Sequence, residues 1–477
     1  MNYDFARSVE RGTGRCFSLF DVPAACYPAD AIDGLARAMS RVILPSSRIP
    51  SGYVYLGQFI AHDLSRLDPT QGSISKPSEL RQMRAPMLNL ENVYGEGFDD
   101  PTIAIERGTG LMKLDRASTA RSDADVPVHD LPRDEDGRAR IPDDRDDENL
   151  LVAQLHVAFL ELHNFFCRRI RANDALSARA IFEAARRQTI LHYQEMVLYD
   201  FLPTIAGLDT WRKVLLEREA VLWPSPRSQM PIEFAVAAFQ FGHSMVRRHY
   251  TLNARLPLVD FDTLFAYTGL FRMNGQGRTL PSSHRVDWRL FFAGVCSRTP
   301  RFMNYAMRIG PATIIKTPHD RDLLAKKSLR TAQRCGLGDA QHILKQLRSL
   351  DAEAAFRPLT ADELNPEVYV VDRDGVHNVR VFDLIGTSHP FATSTPLSYY
   401  LLAEALATRQ GLALGPLGGQ IVAETLWHLA RGSSPSILFE RRDERFIPAT
   451  GRRVDSSLRL RMSDLLGAVA TPISHED

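Results

Sequence analysis

The strongest helical period in this chain runs through Leu151, Leu155, Ala158, Phe159, Leu162 and Phe166, where apolar side chains return every three or four positions. The spacing predicts a helix beginning near Asp144, with Asp143 or Asp144 as its N-cap. A second long helix is predicted over 176–201 and a third over 231–247. Shorter apolar periods mark helices near 31–39, 287–296, 320–334, 338–349, 394–408 and 416–431. Alternation at period two is scarce, confined to pieces such as Val368–Val371, with a further strand-like piece at Gly110–Leu114. Residues 64–85 are polar and broken by Pro69, Gly72 and Pro77, which predicts an ordered loop. The pattern as a whole predicts a mainly α protein with few short strands. No stretch reads as a flexible tether, so one large helical domain is expected over 15–467, between an N-terminal segment 1–14 and a tail 468–477.

Composition changes this picture little. The 477 residues carry 58 basic and 57 acidic side chains, and a net charge of +1 gives no electrostatic reason to expect nucleic acid or an anionic membrane surface as partner. Five scattered cysteines have no metal-ligand spacing and suit a reduced protein. The first residues mix charges of both signs without an apolar segment, which argues against a signal peptide. No uninterrupted apolar run approaches the roughly 18 residues of a bilayer span. A soluble, cytoplasmic protein without a transmembrane segment is the expectation.

Candidate chemistry sits in three stretches. In Gly57–Asp63, read as a helix, Gln58 and His62 share a face while Asp63 is turned about 100° away. An imidazole and an amide would then look into one pocket and the carboxylate into another. In Asp143–Leu150, Arg145 and Glu148 are three apart and share a face, giving a fixed positive charge beside a carboxylate. In Ala237–Val246, His243 lies in an otherwise apolar helix beside Gly242, a residue that often marks a close approach. A flat macrocycle on that face, with His243 ligating its iron, would explain both. Taken singly, each stretch has a plain structural reading: a satisfied helical histidine, a surface ion pair, a core histidine.

Together they resemble the animal-type haem peroxidase superfamily, in its bacterial branch near myeloperoxidase and peroxinectin, and more remotely the cyclooxygenases. The resemblance is carried by Gly52-Tyr53-x-Tyr55-Leu56-Gly57-Gln58-Phe59-Ile60-x-His62-Asp63, by Asp147-Glu148-Asn149-Leu150 continuing to His163-Asn164, and by Phe239-x-Phe241-Gly242-His243-Ser244. It implies that His62 is the distal general base, taking a proton from peroxide and returning it to the leaving oxygen. It implies that Arg145 stabilises the negative charge of the breaking O–O bond, that Gln58 lines the same pocket, and that His243 is the axial ligand of haem b. Glu148 falls where the family esterifies a haem methyl group, and Asp63, Asn89 and Glu91 fall on the family's calcium site.

The departures also carry expectations. Ala61 stands where a second ester-forming aspartate is usual, so at most one ester, through Glu148, is expected. Asn149 replaces a sulfonium-forming methionine, which predicts a less oxidising haem unsuited to chloride. Ser328 stands where an asparagine accepts the proximal histidine's N–H, and its shorter side chain calls for a bridging water. Asn89 and Glu91 replace aspartates, predicting weak or no calcium binding. Gln240 takes a position where peroxidases often have an arginine near a haem propionate and cyclooxygenases their radical tyrosine. The expected function is a haem-dependent, stress-responsive peroxidase that uses hydrogen peroxide to oxidise a small organic molecule, bromide or iodide. The alternatives are a haem oxygenase or dioxygenase acting on a metabolite or fatty acid, and a catalytically impaired haem-binding relative.

Overall fold

In a computed structural model of the chain, the described residues are 14–67, 79–116, 129–171, 176–223, 229–269, 280–295, 302–313, 322–349, 356–440 and 460–470. Nine helices matter for the site: α1 (Ala29–Arg41), α2 (Gly52–Leu64), α3 (Glu91–Tyr94), α4 (Leu150–Arg171), α5 (Ala178–Met196), α6 (Leu324–Arg334), α7 (Ala340–Ser349), α8 (Leu397–Arg409) and α9 (Pro416–Gly432). Strands are short. The longest among the described residues, Glu367–Asp372 and Gly375–Arg380, pair antiparallel with each other, and the first also pairs antiparallel with Val42–Ile43. The protein is mainly α with few short strands, as the apolar periods require. The expected segment 1–14 lies outside the described residues except Gly14, and the expected boundary at 467 falls inside a helix that continues to Ala470.

Two helices are apolar nearly all round, the signature of elements buried on every side. In α2, Val54, Leu56, Phe59, Ile60 and Leu64 are all buried, and the helix stops where Ser65 turns extended. The α4 sequence is long and apolar enough to cross a bilayer, yet 89% of its most apolar window is buried inside the protein, which fits a core helix. Phe59 of α2 stacks on Phe159 of α4, centroids 4.9 Å apart and planes 6° apart, and Tyr193 of α5 meets both rings edge-on. These three rings lock together the elements that carry Gln58, His62 and the start of α4.

Three sequence expectations need correction. The first concerns 231–247, which is three pieces: a helix over Ile232–Val236, a 3-10 turn over Ala238–Phe241 and a helical turn over Gly242–Met245. Ala237 leaves the helical region (φ −134°, ψ −72°), and the side-chain amide of Gln240 donates to the freed Ala235 carbonyl at 3.0 Å. Apolar spacing continues on both sides of Ala237, with no glycine or proline between Ile232 and Phe241, so the period alone conceals the break. The second concerns the strong helix, whose regular part begins at Leu150, because Asp144–Asp147 is wound as a 3-10 turn with Asp143 as its N-cap. In addition, the segment near 287–296 holds only a 3-10 turn, Trp288–Leu290, among the described residues.

The aromatic contact yields a stability prediction. Phe59→Ala should cost ~3–5 kcal/mol, as expected for a fully buried aromatic whose neighbours cannot collapse. Urea unfolding followed by circular dichroism reads this directly, and a loss below ~1 kcal/mol would mean that α2 and α4 do not depend on the stack.

Candidate functional site

One cavity of about 1040 Å³ gathers the three stretches. It is lined by Gln58 and His62 of α2, by Arg145, Glu148 and Asn149 at the head of α4, by Gln240, Gly242 and His243 of the broken segment, and by Lys327 and Ser328 of α6. Its volume is at the upper end of the ~300–1,000 Å³ of small-molecule sites. Every distal and proximal residue expected from sequence therefore faces a common space. The space around Gly242 is open: a Cβ built there meets nothing within 4 Å.

The distal wall is built from buried carboxylates. Asp146 Oδ1 lies 2.7 Å from Nδ1 of His62. Its Oδ2 lies 2.7 Å from Nδ1 of His156 and accepts from the Asn92 amide at 2.8 Å. Burial works to raise the Asp146 carboxyl, but hydrogen bonds from His156 and His62 outweigh it and hold the group below its usual range. A carboxylate only accepts, so both Nδ1 atoms carry protons. The second nitrogen of His62 is the one left for the cavity.

Asp143 organises the cations. It is fully buried, and its side chain accepts from Nε of Arg145 at 2.9 Å, from Nη2 of Arg145 at 2.7 Å and from Arg84 at 2.6 Å. Burial, which would raise its carboxyl, is outweighed by Arg145, His62 and Arg84, leaving it well below the usual carboxylate range. Arg145 also donates to the carbonyls of His62 at 3.1 Å and Ser65 at 2.9 Å, capping the carbonyl end of α2 where a positive charge is favoured. Most of its donors are thus committed, and the second hydrogen on Nη1 remains for the cavity. Arg145 and Glu148 do share a face, since side chains three apart eclipse in a 3-10 turn. They do not pair with each other. Glu148 accepts instead from Gln58 at 3.1 Å, and the same Gln58 accepts from Asn149 at 3.1 Å. Arg133 fastens the turn from outside by a two-pronged pair with Asp147.

His243 and Ser328 line both the main cavity and a second one of about 30 Å³. That volume exceeds the ~10–15 Å³ that one water needs. Two hydroxyls there, Thr313 Oγ1 and Ser398 Oγ, are buried without a hydrogen-bond partner.

The residues expected to hold calcium do not form a ligand set as placed. One Asp63 oxygen accepts from the Glu91 backbone N–H at 2.6 Å, and the Glu91 carboxylate is turned onto Arg84 at 3.3 Å and the Ala85 N–H at 3.0 Å. That leaves Asp63 Oδ2 and Asn89 Oδ1, against the 6–8 oxygens typical of calcium. Burial pushes the Asp63 carboxyl up to about 7, so much of its charge is removed near neutral pH. Arg84, bridging Glu91 and Asp143, supplies the positive charge that ties this loop to the distal wall.

A haem fits the larger site. His243 would ligate its iron, the open space around Gly242 would admit the flat ring, and a histidine, an amide and a guanidinium line the same cavity. The sequence comparisons agree. The animal haem peroxidase family profile matches residues 58–264. Over 122 residues the chain is 30% identical to Dual oxidase 1 of Caenorhabditis elegans, which is 25% of this chain and 8% of that protein. Over 195 residues it is 25% identical to a peroxidase-like protein of Margaritifera margaritifera, 36% of this chain and 22% of that one. The alignments thus span a minor part of both curated relatives. Two solved structures share the fold at a TM-score of 0.57: peroxidase A of Dictyostelium discoideum (15% identity, 88% of this chain, 86% of that one) and a fatty acid alpha-dioxygenase of Arabidopsis thaliana (13% identity, 88% and 72%). Fold and cavity define a helical protein built around a cavity lined by two histidines. Over residues 58–264 the chain is thus similar to the animal haem peroxidase family.

Sequence reasoning missed Asp143 as a partner of Arg145, and it missed Asp146, His156, Asn92 and Arg84 altogether. The available signal was a run of acidic residues before an apolar helix, which is normally read as a solvated N-terminus.

Two predictions follow from the buried charges. A depressed folded pKa means that Asp143 adds stability above the unfolded value of about 4, and that this is lost as pH falls through the folded value. Asp143→Asn should therefore lower stability by ~3–5 kcal/mol at pH 7 and flatten its decline below pH ~4, read from urea midpoints across pH. Chelator should leave the melting temperature unchanged, whereas Arg84→Met lowers it. A rise in melting temperature with added calcium would show that the loop takes a metal after all.

Proposed function

We propose that this chain is a haem-dependent peroxidase that reduces hydrogen peroxide and draws the electrons from a small organic molecule, bromide or iodide. One observation carries the reading: His62 has its Nδ1 fixed by a buried carboxylate, which leaves its other nitrogen for the cavity that His243 also lines. Haem, when bound, supplies the redox-active iron and holds the oxidising equivalents between the two half-reactions. The chain's own residues do the proton work. Nε2 of His62 accepts the proton from the near oxygen of peroxide and delivers it to the departing oxygen, which leaves as water. The remaining Nη1 hydrogen of Arg145 offsets the negative charge that develops between those two oxygens. Gln58, held by Glu148 and Asn149, keeps an oriented amide beside them.

His243, Gln240, Glu148 and Ser328 are the residues that would hold the cofactor. The fold does not choose between peroxidase and dioxygenase, because relatives of both kinds share it equally well. The polar character of the His62 wall supports the peroxidase, and Gln240 provides no phenol for radical chemistry at that position.

The test uses protein loaded with haem. His243→Ala should abolish stoichiometric haem binding, read from the Soret band. His62→Ala should keep the band but slow the reaction with peroxide by ~10²–10⁴-fold in stopped-flow. Unchanged peroxide kinetics in His62→Ala, or turnover that follows dissolved oxygen and ignores peroxide, would overturn the reading.

A further inference from the structure

The feature of the distal wall that the family resemblance does not assign is the carboxylate shared by two histidines. Asp146 sits in the 3-10 turn before α4, His62 on α2, His156 one α4 face away and Asn92 on α3. All four are buried: Asp146 and His156 at 0%, Asn92 at 0% and His62 at 6% exposure. Each of the three N–H donors reaches Asp146 within 2.8 Å. The two oxygens are not equivalent. Oδ2 serves His156 and Asn92, and Oδ1 serves His62 alone.

We propose that Asp146 is the positioning residue for the distal base: its Oδ1 fixes the Nδ1–H form of His62 and the ring's orientation, while His156 and Asn92 on Oδ2 prevent the carboxylate from turning. The inference has two parts. The placement of the proton on Nδ1 rests on the geometry alone, and its consequence for peroxide rests on the peroxidase reading above. A histidine held in this way by a carboxylate keeps a fixed tautomer, which is what a base needs if one nitrogen is to face its substrate in every turnover. Double anchoring on Oδ2 adds rigidity that a single carboxylate–imidazole pair lacks. His156 does not reach the cavity, so its part is to hold Asp146 and not to touch substrate.

The asymmetry of the two oxygens makes Asp146→Asn an informative variant. An asparagine there has one acceptor and one donor group. The two donors at the Oδ2 position draw the amide oxygen toward themselves, which turns the NH₂ group onto Nδ1 of His62. His62 must then accept at Nδ1 and carry its proton on Nε2, the wrong form for a base facing the cavity.

Histidine-selective ¹⁵N labelling reads the tautomer directly. Unsubstituted protein should show His62 protonated at Nδ1 and unprotonated at Nε2, and Asp146→Asn should show the reverse. In haem-loaded protein, Asp146→Asn should keep the Soret band and slow the reaction with peroxide at least ~10-fold. The double variant with His62→Ala should be no slower than His62→Ala alone, since the two residues act as one unit. An Nε2–H tautomer of His62 in the unsubstituted protein would overturn the inference, and this measurement stands even if the variant fails to fold. A slow His62→Ala beside an unaffected Asp146→Asn would overturn it as well. If His62→Ala itself reacts at full speed, the peroxidase reading falls, and the tautomer still decides whether Asp146 positions the ring.

Discussion

Burying Asp143, Asp146 and Asp147 within one turn is the constraint on which the site depends. Exposures of 0%, 0% and 5% put three carboxylates within five consecutive residues out of water, a placement that costs several kcal/mol per ion unless each is compensated. Each has its own partners, and the partners come from different parts of the chain. Asp143 takes Arg84 and Arg145, Asp146 takes His62, His156 and Asn92, and Asp147 takes Arg133. The turn therefore acts as a junction. Moving any of α2, α3, α4 or the 81–85 segment would leave a charge buried without its partner, so electrostatics and position are coupled throughout the distal wall.

The two walls are stabilised in different ways. The wall with His62 is a network of charge-assisted hydrogen bonds between buried groups, which defines positions sharply. The wall with His243 rests on apolar packing around a broken helix: Phe234 stacks on Phe239, Phe239 meets Phe241 edge-on, and Gln240 repairs the carbonyl that the break exposes. The first arrangement suits groups that must keep a proton in place. The second suits a face that must stay open and flat, which the empty space around Gly242 provides.

Much of this was legible in the chain. Helical spacing placed Gln58 and His62 on one face, three-residue spacing joined Arg145 to Glu148, and the apolar surroundings of His243 marked a third stretch. All of them line the one cavity. The rest was not legible, for two physical reasons. A break such as that at Ala237 is decided by what packs around the helix, so apolar spacing passes through it unchanged. Acidic residues ahead of a helix satisfy a local rule about exposed N-termini, and only tertiary contact shows that here three of them point inward. His156 illustrates both reasons: within its own helix it is an apolar-stripe histidine, and its partner arrives from a turn ten residues earlier.

The same network bears on the covalent link expected through Glu148. Gln58 donates to Glu148 Oε2 and accepts from Asn149, so the amide is oriented from both sides and cannot flip without losing both bonds. An ester carbonyl accepts a hydrogen bond as a carboxylate oxygen does, although more weakly, because the charge is gone. Esterification would therefore leave the Gln58 geometry in place while removing a negative charge from the cavity wall. Ala61 has no carboxyl to form a second link, so the covalent state of Glu148 would set how negative this face is. Arg145 is held by Asp143, which it shares with Arg84, and does not pair with Glu148. An ester through Glu148 would thus remove one charge from a wall in which Asp143, Asp146 and Asp147 are each already partnered.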